Sequence, residues 1–469
     1  MKVYPILSIV ISCFSLSLYS QDSVIISAST QYEDPNLIKR ILVGKNYREV
    51  WAMPVQMKVF DIDKEKGGLK ITELGGGQQT KSLRMKDKKG TEWVLRTVDK
   101  DVNGALPPIL RKTFMKKIVQ DQISSAYPYA PLAVGYLAKT LELAAPDPEL
   151  FYIPDDTRFG EHRKLFANAV CMLEKTEPTF DGSEAWDTDK LYDELKKKPD
   201  NRVDGLMLLK ARLLDMLIGD WDRHKLQWKW GKQKKDDNDV YYPVPRDRDQ
   251  AFFQSNGLLV KLVRPFTLKH MVGFTDNDRK LTKLSKKAWS FDKQLLNELD
   301  AEQWKLVISN FQKTLNDDVL DKAIKRMPPE VVARDGAVIM NKLKKRRDGM
   351  MEYGMKYYKF LSREVKLMGT EQDDIYKVTA AGDGIKITAT DDKGKKVRWQ
   401  RTFNADETRK IHINLLKGAD QFIVDEKVNS DIKVSLTEDE KDTVKLNGKL
   451  KVSREKEKKK EKKEEKKEK

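Results

Sequence analysis

Apolar and polar side chains alternate with a period of two through much of the first hundred residues. Val55 to Ile62 switches in this way, and Ser82–Met85 can pair with Glu92–Val98 across the turn Asp87-Lys88-Lys89-Gly90. Such alternation fits strands that bury one face, so Gln31 to about Lys100 reads mainly as sheet. From about Pro108 the period lengthens, with Leu110, Phe114, Ile118 and Ile123 at helical spacing. Phe166 to Leu173 returns to a strand and ends at Glu174. Leu206 to Ile218 is apolar almost throughout. That predicts a helix buried on every side, inside which Arg212 and Asp215 must find partners. Leu226–Trp230 and Val240–Val244 then read as a hairpin joined by the polar turn Lys234–Asp239, and helices dominate from Phe291 to about Leu361.

The pattern shifts at Ser362. Val365–Leu367, Ile375–Val378, Gly384–Ala389, Val397–Phe403, Ile411–Leu415 and Ile432–Leu436 are short strand-like runs separated by turn residues. They predict a small all-β domain over residues 362–452. Gly418-Ala419-Asp420-Gln421-Phe422 reads as a turn, since a single glycine–aspartate copy does not make a calcium repeat. Residues 453–469 are almost wholly Glu and Lys, cannot bury a core, and predict a solvated tail.

The first twenty residues carry a different signal. One charge at Lys2, an apolar run from Ile6 to Leu18 and an exit at Ser20-Gln21-Asp22 form the pattern of a secretory leader. The run is too short to span a bilayer, and Val10-Ile11-Ser12 before Cys13 is a poor lipoprotein box. Export to the periplasm or cell envelope is therefore expected, with no membrane-spanning segment in the mature chain. Without the leader Cys171 is the sole cysteine, which excludes an internal disulfide. The four histidines are scattered, which argues against a histidine-rich zinc site. The net charge of +17 is spread along the chain, apart from the tail's ten basic and six acidic residues from Arg454 onward. No nucleic-acid motif accompanies it, so nucleic acid is not an expected partner; attraction to nucleotides or anionic surfaces is.

Candidate chemistry gathers around the hairpin. Gly219-Asp220-Trp221-Asp222-Arg223-His224 precedes its first strand, and Pro245-Arg246-Asp247-Arg248-Asp249-Gln250-Ala251-Phe252 follows its second. A hairpin's entrance and exit share one end, so Asp222 and Asp247 should be neighbours. Converging carboxylates need a cation, and Mg²⁺ or Mn²⁺ suits hard oxygen ligands. Phosphoryl transfer uses such a set: one acid to orient the attacking hydroxyl and another to hold metal on the phosphates. Gln227 lies five residues after Asp222, the interval from catalytic Asp to metal-binding Asn in ordinary kinases. The plainer alternative is a charged hairpin whose acids pair with Arg223, Arg246 and Arg248. Trp221, Trp228 and Trp230 read as packing.

Asp222-Arg223-His224, the side-chain amide after it and the Asp247/Asp249 pair before Phe252 resemble the atypical kinases of the secretory pathway and the CotH-like and HipA-like kinase folds. More closely, Gly75 to Lys100, Gln120 to Ala130, Leu173-Glu174, Gly219 to Trp228 and Pro245 to Phe252 resemble the kinase-like module that precedes a surface-antigen β-barrel in large bacterial outer-membrane proteins. That resemblance covers roughly residues 35 to 440, the β domain included. The chain departs from that pattern by ending in a charged tail. The resemblance implies an α+β, two-lobed protein-kinase-like fold followed by the small all-β domain, with an N-lobe over 21–105 and a hinge and helical C-lobe over 106–361. It implies Asp222 as catalytic base, Asp247 or Asp249 as principal metal ligand, and Gln227 at the second-metal position. Gly75, Gly76, Gly77 and Lys81 would form a phosphate-cradling loop, Arg96 or Lys100 the phosphate cation held by Asp121 or Gln122, and Glu174 the adenine hinge. The implied cofactors are ATP or another nucleotide with Mg²⁺ or Mn²⁺. The implied function is phosphoryl or nucleotidyl transfer to an envelope protein, glycan or small molecule, or else a catalytically inactive assembly module at the outer membrane.

Overall fold

The computed structural model describes residues 22–33, 36–76, 80–104, 111–198, 200–235, 238–263, 269–277 and 280–456. The expected leader, Gly77 and most of the charged tail lie outside these residues. Within them, β1 (Ser23–Ile26), β2 (Val55–Val59), β3 (Leu69–Gly75), β4 (Ser82–Asp87), β5 (Glu92–Thr97), β6 (Glu149–Ile153) and β7 (Ala169–Lys175) form one sheet in the order β1-β2-β6-β7-β5-β4-β3. The expected hairpin is present: Lys86 faces Glu92 and Ser82 faces Arg96. Its turn closes because Asp87 Oδ1 accepts the Lys89 and Thr91 N–H groups at 2.8 and 2.9 Å, with Gly90 at φ 82° where a Cβ would be strained. One face of the sheet packs around Leu83, Met85, Leu95, Phe151 and Leu173. The region is less purely β than the alternation suggests, because helices Leu37–Val43 and Arg48–Ala52 lie between β1 and β2.

Below the sheet lies a helical lobe built on Gly205–Ile218, whose residues from Leu208 to Ile218 are buried except Lys210. Asp204 starts this helix by accepting the Met207 N–H at 2.9 Å, and Gly219 ends it in the left-handed region at φ 72°. Arg212 and Asp215 have their partners: Arg212 reaches Asp215 Oδ2 at 2.8 Å and Asp292 Oδ1 at 2.9 Å, and Tyr357 donates to Asp292 at 2.7 Å. Helices Ala301–Thr314, Asp317–Ile324, Pro329–Asp348 and Met350–Ser362 enclose it. A four-stranded sheet in the order β8-β10-β11-β9 flanks it, with β8 (Trp186–Asp187), β9 (Arg202–Val203), β10 (Trp228–Lys235) and β11 (Asn238–Pro245). The α+β class and the two-lobed layout are therefore present.

The β region that follows Ser362 has its own core of Val378, Ile387, Ile411, Phe422 and Val434. Here β12 (Glu364–Met368), β13 (Asp374–Ala381), β14 (Gly384–Asp391), β15 (Val397–Phe403), β16 (Lys410–Asn414), β17 (Gln421–Val424), β18 (Asn429–Glu438), β19 (Thr443–Leu446) and β20 (Lys449–Lys456) form two sheets. One is the parallel set β12-β16-β18-β20; the other runs β15-β14-β13-β17-β19 and is parallel from β13 to β19. After the antiparallel run β13-β14-β15 in one sheet, the chain coils, giving strands β15 to β20 alternately to each sheet. At one corner aspartates stack in register: the Asp374 N–H donates to Asp420 at 2.7 Å and the Asp420 N–H to Asp442 at 3.0 Å. Strand β20 continues to Lys456, into the stretch expected to be tail.

Candidate functional site

The end of the buried helix determines the geometry of the acidic loops. After Gly219 the Asp220 N–H returns to the Asp215 carbonyl at 2.9 Å, and Asp220 Oδ1 accepts the Asp222 N–H at 2.9 Å. From the other side of the hairpin, the Phe252 N–H donates to the Ile218 carbonyl at 2.8 Å. The register Trp228 opposite Pro245, with the Arg246 N–H on the Gln227 carbonyl at 2.9 Å, brings the Asp222 and Asp247 loops to one end. Arg223 ties them together by donating to the carbonyls of Arg246 at 2.6 Å, Asp247 at 3.3 Å and Gln227 at 3.3 Å.

Arg223 and Arg248 place their closest carboxylate contacts on Asp215 and not on the candidate catalytic acids. Arg223 Nε lies 3.2 Å and Arg248 Nε 2.9 Å from Asp215, which is fully buried and also holds Arg212. Burial works to raise the Asp215 pKa, but the three guanidiniums outweigh it and hold the carboxyl below its ordinary range. The candidate acids make weaker contacts. Gln227 Nε2 donates to Asp247 Oδ2 at 3.3 Å, Lys100 pairs with Asp249, and Lys287 pairs with Asp222. Lys287 also sits 4.8 Å over the Trp221 ring, and His224 Nε2 is 3.9 Å from Asp222 Oδ1.

Crowding in the cleft works to raise the Asp247 pKa; Lys100, Arg96 and the Gln227 amide bring it below the ordinary carboxylate value. Asp220 behaves oppositely. Burial, opposed by Arg223 and reinforced by Asp215, pushes it up to about 7. Asp247 and Phe252 both adopt positive φ, 52° and 60°, which is uncommon for a side-chain-bearing residue. Backbone strain of this kind gathers at functional loops.

The phosphate side differs from expectation in one respect. Asp121 does not hold Arg96 or Lys100: it is buried under a bidentate contact from Arg48 and a 2.9 Å contact from Lys39. Gln122 reaches the Val43 carbonyl and Ser255 instead. Arg96 pairs with Glu174 across β5 and β7, Nε to Oε1 at 3.1 Å, and Lys100 goes to Asp249. Helix Phe114–Asp121 therefore faces the N-terminal helices. Burial raises the Glu174 pKa against the pull of Arg96 and Arg246. Gly75 and Gly76 end β3, Gly76 at φ 132° with only 2.5 Å between a hypothetical Cβ and the Thr80 carbonyl, so a side chain there would clash. Lys81 follows that loop and is exposed, while its carbonyl accepts the Thr97 N–H at 3.0 Å. Cys171 is buried, which pushes its thiol pKa up and leaves it inert as a nucleophile. Trp228 and Trp230 are packing residues, Trp228 stacked on Phe291 at 5.1 Å.

Sequence reasoning missed Lys287, which arrives from 65 residues beyond Asp222 on a short turn that no motif marks. It also missed Asp215 as the hub of both loops. Its apolar surroundings showed only that some partner was needed.

Among the described residues no three His, Cys, Asp or Glu side chains stand close enough to hold a metal by themselves. The oxygen donors Asp247, Asp249 and Gln227 nonetheless fit magnesium, which keeps waters and takes ligands from phosphate in addition to one or two carboxylates. Among the described residues no helix is long and apolar enough to cross a membrane.

No protein-family model matches the chain, and a search of curated proteins finds no match. Among solved structures the chain is similar to the Helicobacter pylori proinflammatory kinase CtkA, at 10% identity and a TM-score of 0.33 over 59% of this chain and 95% of that one. It is also similar to the Rio2 kinase–ADP/Mg²⁺–phosphoaspartate complex from Chaetomium thermophilum, at 11% identity and a TM-score of 0.29 over 59% and 71%. At these scores the likeness carries no argument about this chain's chemistry.

Proposed function

We propose that this chain is an exported, kinase-like protein that binds a nucleotide with Mg²⁺ or Mn²⁺ and transfers a phosphoryl or nucleotidyl group to an acceptor of the cell envelope. The observation that carries this is the division of labour among the charges. Asp215 takes Arg212, Arg223 and Arg248, which leaves Asp222, Asp247 and Asp249 at one end of the hairpin with contacts that a ligand can displace. Asp247 would hold the metal, with Asp249 and Gln227 beside it. Lys100, moving off Asp249, would meet the phosphates. Asp222, moving off Lys287, would accept the proton of the attacking hydroxyl and pass it to solvent. The bound metal would supply charge neutralisation at the phosphates. Export rests on the leader at residues 1–20, and the envelope setting on the resemblance to modules of outer-membrane proteins.

One observation favours a second reading, a nucleotide-binding or assembly module without transfer activity. Gln227 offers the metal a neutral amide, a weaker ligand than a carboxylate, and two of the three acids are occupied by lysines. Mutants at the two acids separate these readings. Asp247→Ala should abolish metal-dependent ADP or ATP binding measured by calorimetry. Asp222→Ala should leave that binding within about twofold but lower transfer by about a hundredfold or more, because a base acts on the transition state. Nucleotide binding without transfer in the wild type supports the second reading. Wild-type protein that binds no nucleotide with either metal overturns the first reading and leaves the inactive assembly module.

A further inference from the structure

We propose that a cavity of about 840 Å³ beside Lys100 is a second anion site, which takes a multiply phosphorylated small molecule and is separate from the nucleotide cleft. The two sites touch only through Lys81 and Lys100, so this one does not depend on transfer chemistry. Its walls are the N-terminal segment around Ser27–Tyr32, the end of β5 and helix Phe114–Asp121.

Five lysines line it: Lys39, Lys81, Lys100, Lys116 and Lys117. Three aspartates do as well, so the lining carries two net positive charges. Asp121 is held by Arg48 and Lys39. Asp99 accepts from Tyr32 Oη at 2.6 Å, from Gln31 and from the Lys100 N–H at 2.8 Å. Asp101 accepts the Asn103 N–H at 2.9 Å and its side-chain amide at 3.0 Å. Lys39 is spent on Asp121 and Lys100 on Asp249. Among the described residues Lys81, Lys116 and Lys117 have no carboxylate within ion-pair distance, and Lys81 and Lys116 act on Asp101 at longer range. They stand on the loop before β4 and on helix Phe114–Asp121, facing one space. Ammonium groups that outnumber the carboxylates around a concavity concentrate anions there.

The walls are braced before any ligand arrives. Gln120 Nε2 donates to Tyr32 Oη at 3.0 Å and to the Lys100 carbonyl at 2.6 Å, while its Oε1 accepts the Val102 N–H at 3.1 Å. This one amide fixes the N-terminal segment, the end of β5 and the lysine-bearing helix against each other. Ser27, Ser29 and Thr30 add hydroxyls, which can donate to phosphate oxygens. The volume lies in the range of small-molecule sites and far exceeds one phosphate. Several lysines as point charges without a planar arginine fork suit phosphate groups spread over a molecule.

The test is calorimetric titration of the full chain with inorganic triphosphate, orthophosphate and ADP·Mg²⁺, comparing wild type with Lys116→Gln/Lys117→Gln, both shown folded by circular dichroism. Triphosphate should bind the wild type at least about tenfold more tightly than orthophosphate, and the double variant at least about tenfold more weakly. Saturating ADP·Mg²⁺ should not displace it, and ADP·Mg²⁺ affinity should be the same in both proteins. The proposal is overturned if triphosphate does not bind at millimolar concentration, if the variant binds it like the wild type, or if ADP·Mg²⁺ competes for it and is lost with it, since the nucleotide's own phosphates would then fill the cavity. Triphosphate binding that behaves as expected in a protein that binds no nucleotide would sustain this site and remove the nucleotide-binding reading alone.

Discussion

Replacing Asp215 with Asn tests the structural basis of the site with almost no change in shape. Asp215 is fully buried and serves three guanidiniums: Arg212 Nη1 at 2.8 Å, Arg248 Nε at 2.9 Å and Arg223 Nε at 3.2 Å. Arg212 keeps Asp292, but Arg223 and Arg248 lose their nearest buried carboxylate, and one oxygen becomes a donor facing donors. Breaking a buried pair from one side costs about 3–5 kcal/mol. Unfolding entropy near 2.1 cal/mol/K per residue over the roughly 340 residues before the β region gives about 0.7 kcal/mol/K, so Tm should fall by about 4–7 °C. Calorimetry measures this. The loss should shrink in acid. The folded pKa of Asp215 is depressed, so its contribution is full above the unfolded carboxylate pKa and disappears as pH falls through the folded value. Arg223 also secures the Arg246 and Gln227 carbonyls, so metal-dependent nucleotide affinity should weaken in the same variant. A Tm within 1 °C of the wild type at pH 7 would refute Asp215 as the hub.

Asp420 predicts the opposite pH response in the β region. Burial, then Asp442, Asp373 and Asp439, pushes its pKa up to about 8 against Arg398. The folded state therefore keeps a proton that the unfolded state has lost, and stability should decline as pH rises from about 4 to 8; Asp420→Asn should flatten that slope in pH-dependent urea melts, and an unchanged slope would count against it. Gly219→Ala places a Cβ at φ 72° and 3.1 Å from Phe274, so urea unfolding should show a loss of about 1–2 kcal/mol; a neutral effect would mean that the helix end re-forms. The helical lobe and the β region have separate cores, joined by contacts such as Lys293–Glu364 at 3.3 Å and Lys396–Asp200 at 2.8 Å. A chain ending at Arg363 should retain a cooperative thermal transition, and its loss would show that the two cores fold together.

The legible parts of the sequence were those where one local pattern has one physical solution. The Ser82–Thr97 hairpin follows from alternation around a turn that only Asp87 and Gly90 close well, and the buried helix follows from an apolar run too long for a strand. The hairpin between Trp228 and Pro245 determined that Asp222 and Asp247 share an end. What failed depended on partners distant in sequence. Arg48 lies 73 residues before Asp121, and nothing local shows that this arginine outcompetes Arg96 and Lys100 for it. The β region was legible as β, but short strands with polar turns look alike in a parallel coil and an antiparallel meander. In the parallel coil the corners Asp374, Asp420 and Asp442 lie in register, although they are far apart in sequence. Helices Leu37–Val43 and Arg48–Ala52 were missed because seven and five residues are too few to establish a helical period.

The lysines on Asp222 and Asp249 bear on whether the site is active or inert, and their energetics decide how much weight they carry. Both pairs are partly solvent-exposed, with side-chain accessibilities of 34% and 24% for Lys287 and Asp222, and 17% and 23% for Lys100 and Asp249. Ion pairs at this degree of exposure contribute about 0–1 kcal/mol. A metal–nucleotide complex places a divalent cation on the acids and several phosphate charges near the lysines, and hydrogen bonds to charged groups contribute about 1.5–3 kcal/mol each. Exchange of partners on binding a metal–nucleotide would therefore be favourable, so the lysine contacts alone do not mark the site as disabled. Gln227 is different, because no rearrangement turns an amide into a carboxylate. Whether the amide is a metal ligand is tested at that residue: Gln227→Glu should strengthen metal-dependent nucleotide binding if the amide sits in the metal's coordination shell. It should weaken binding if Gln227 serves only to orient Asp247, because a carboxylate cannot donate to Asp247 Oδ2 and repels it.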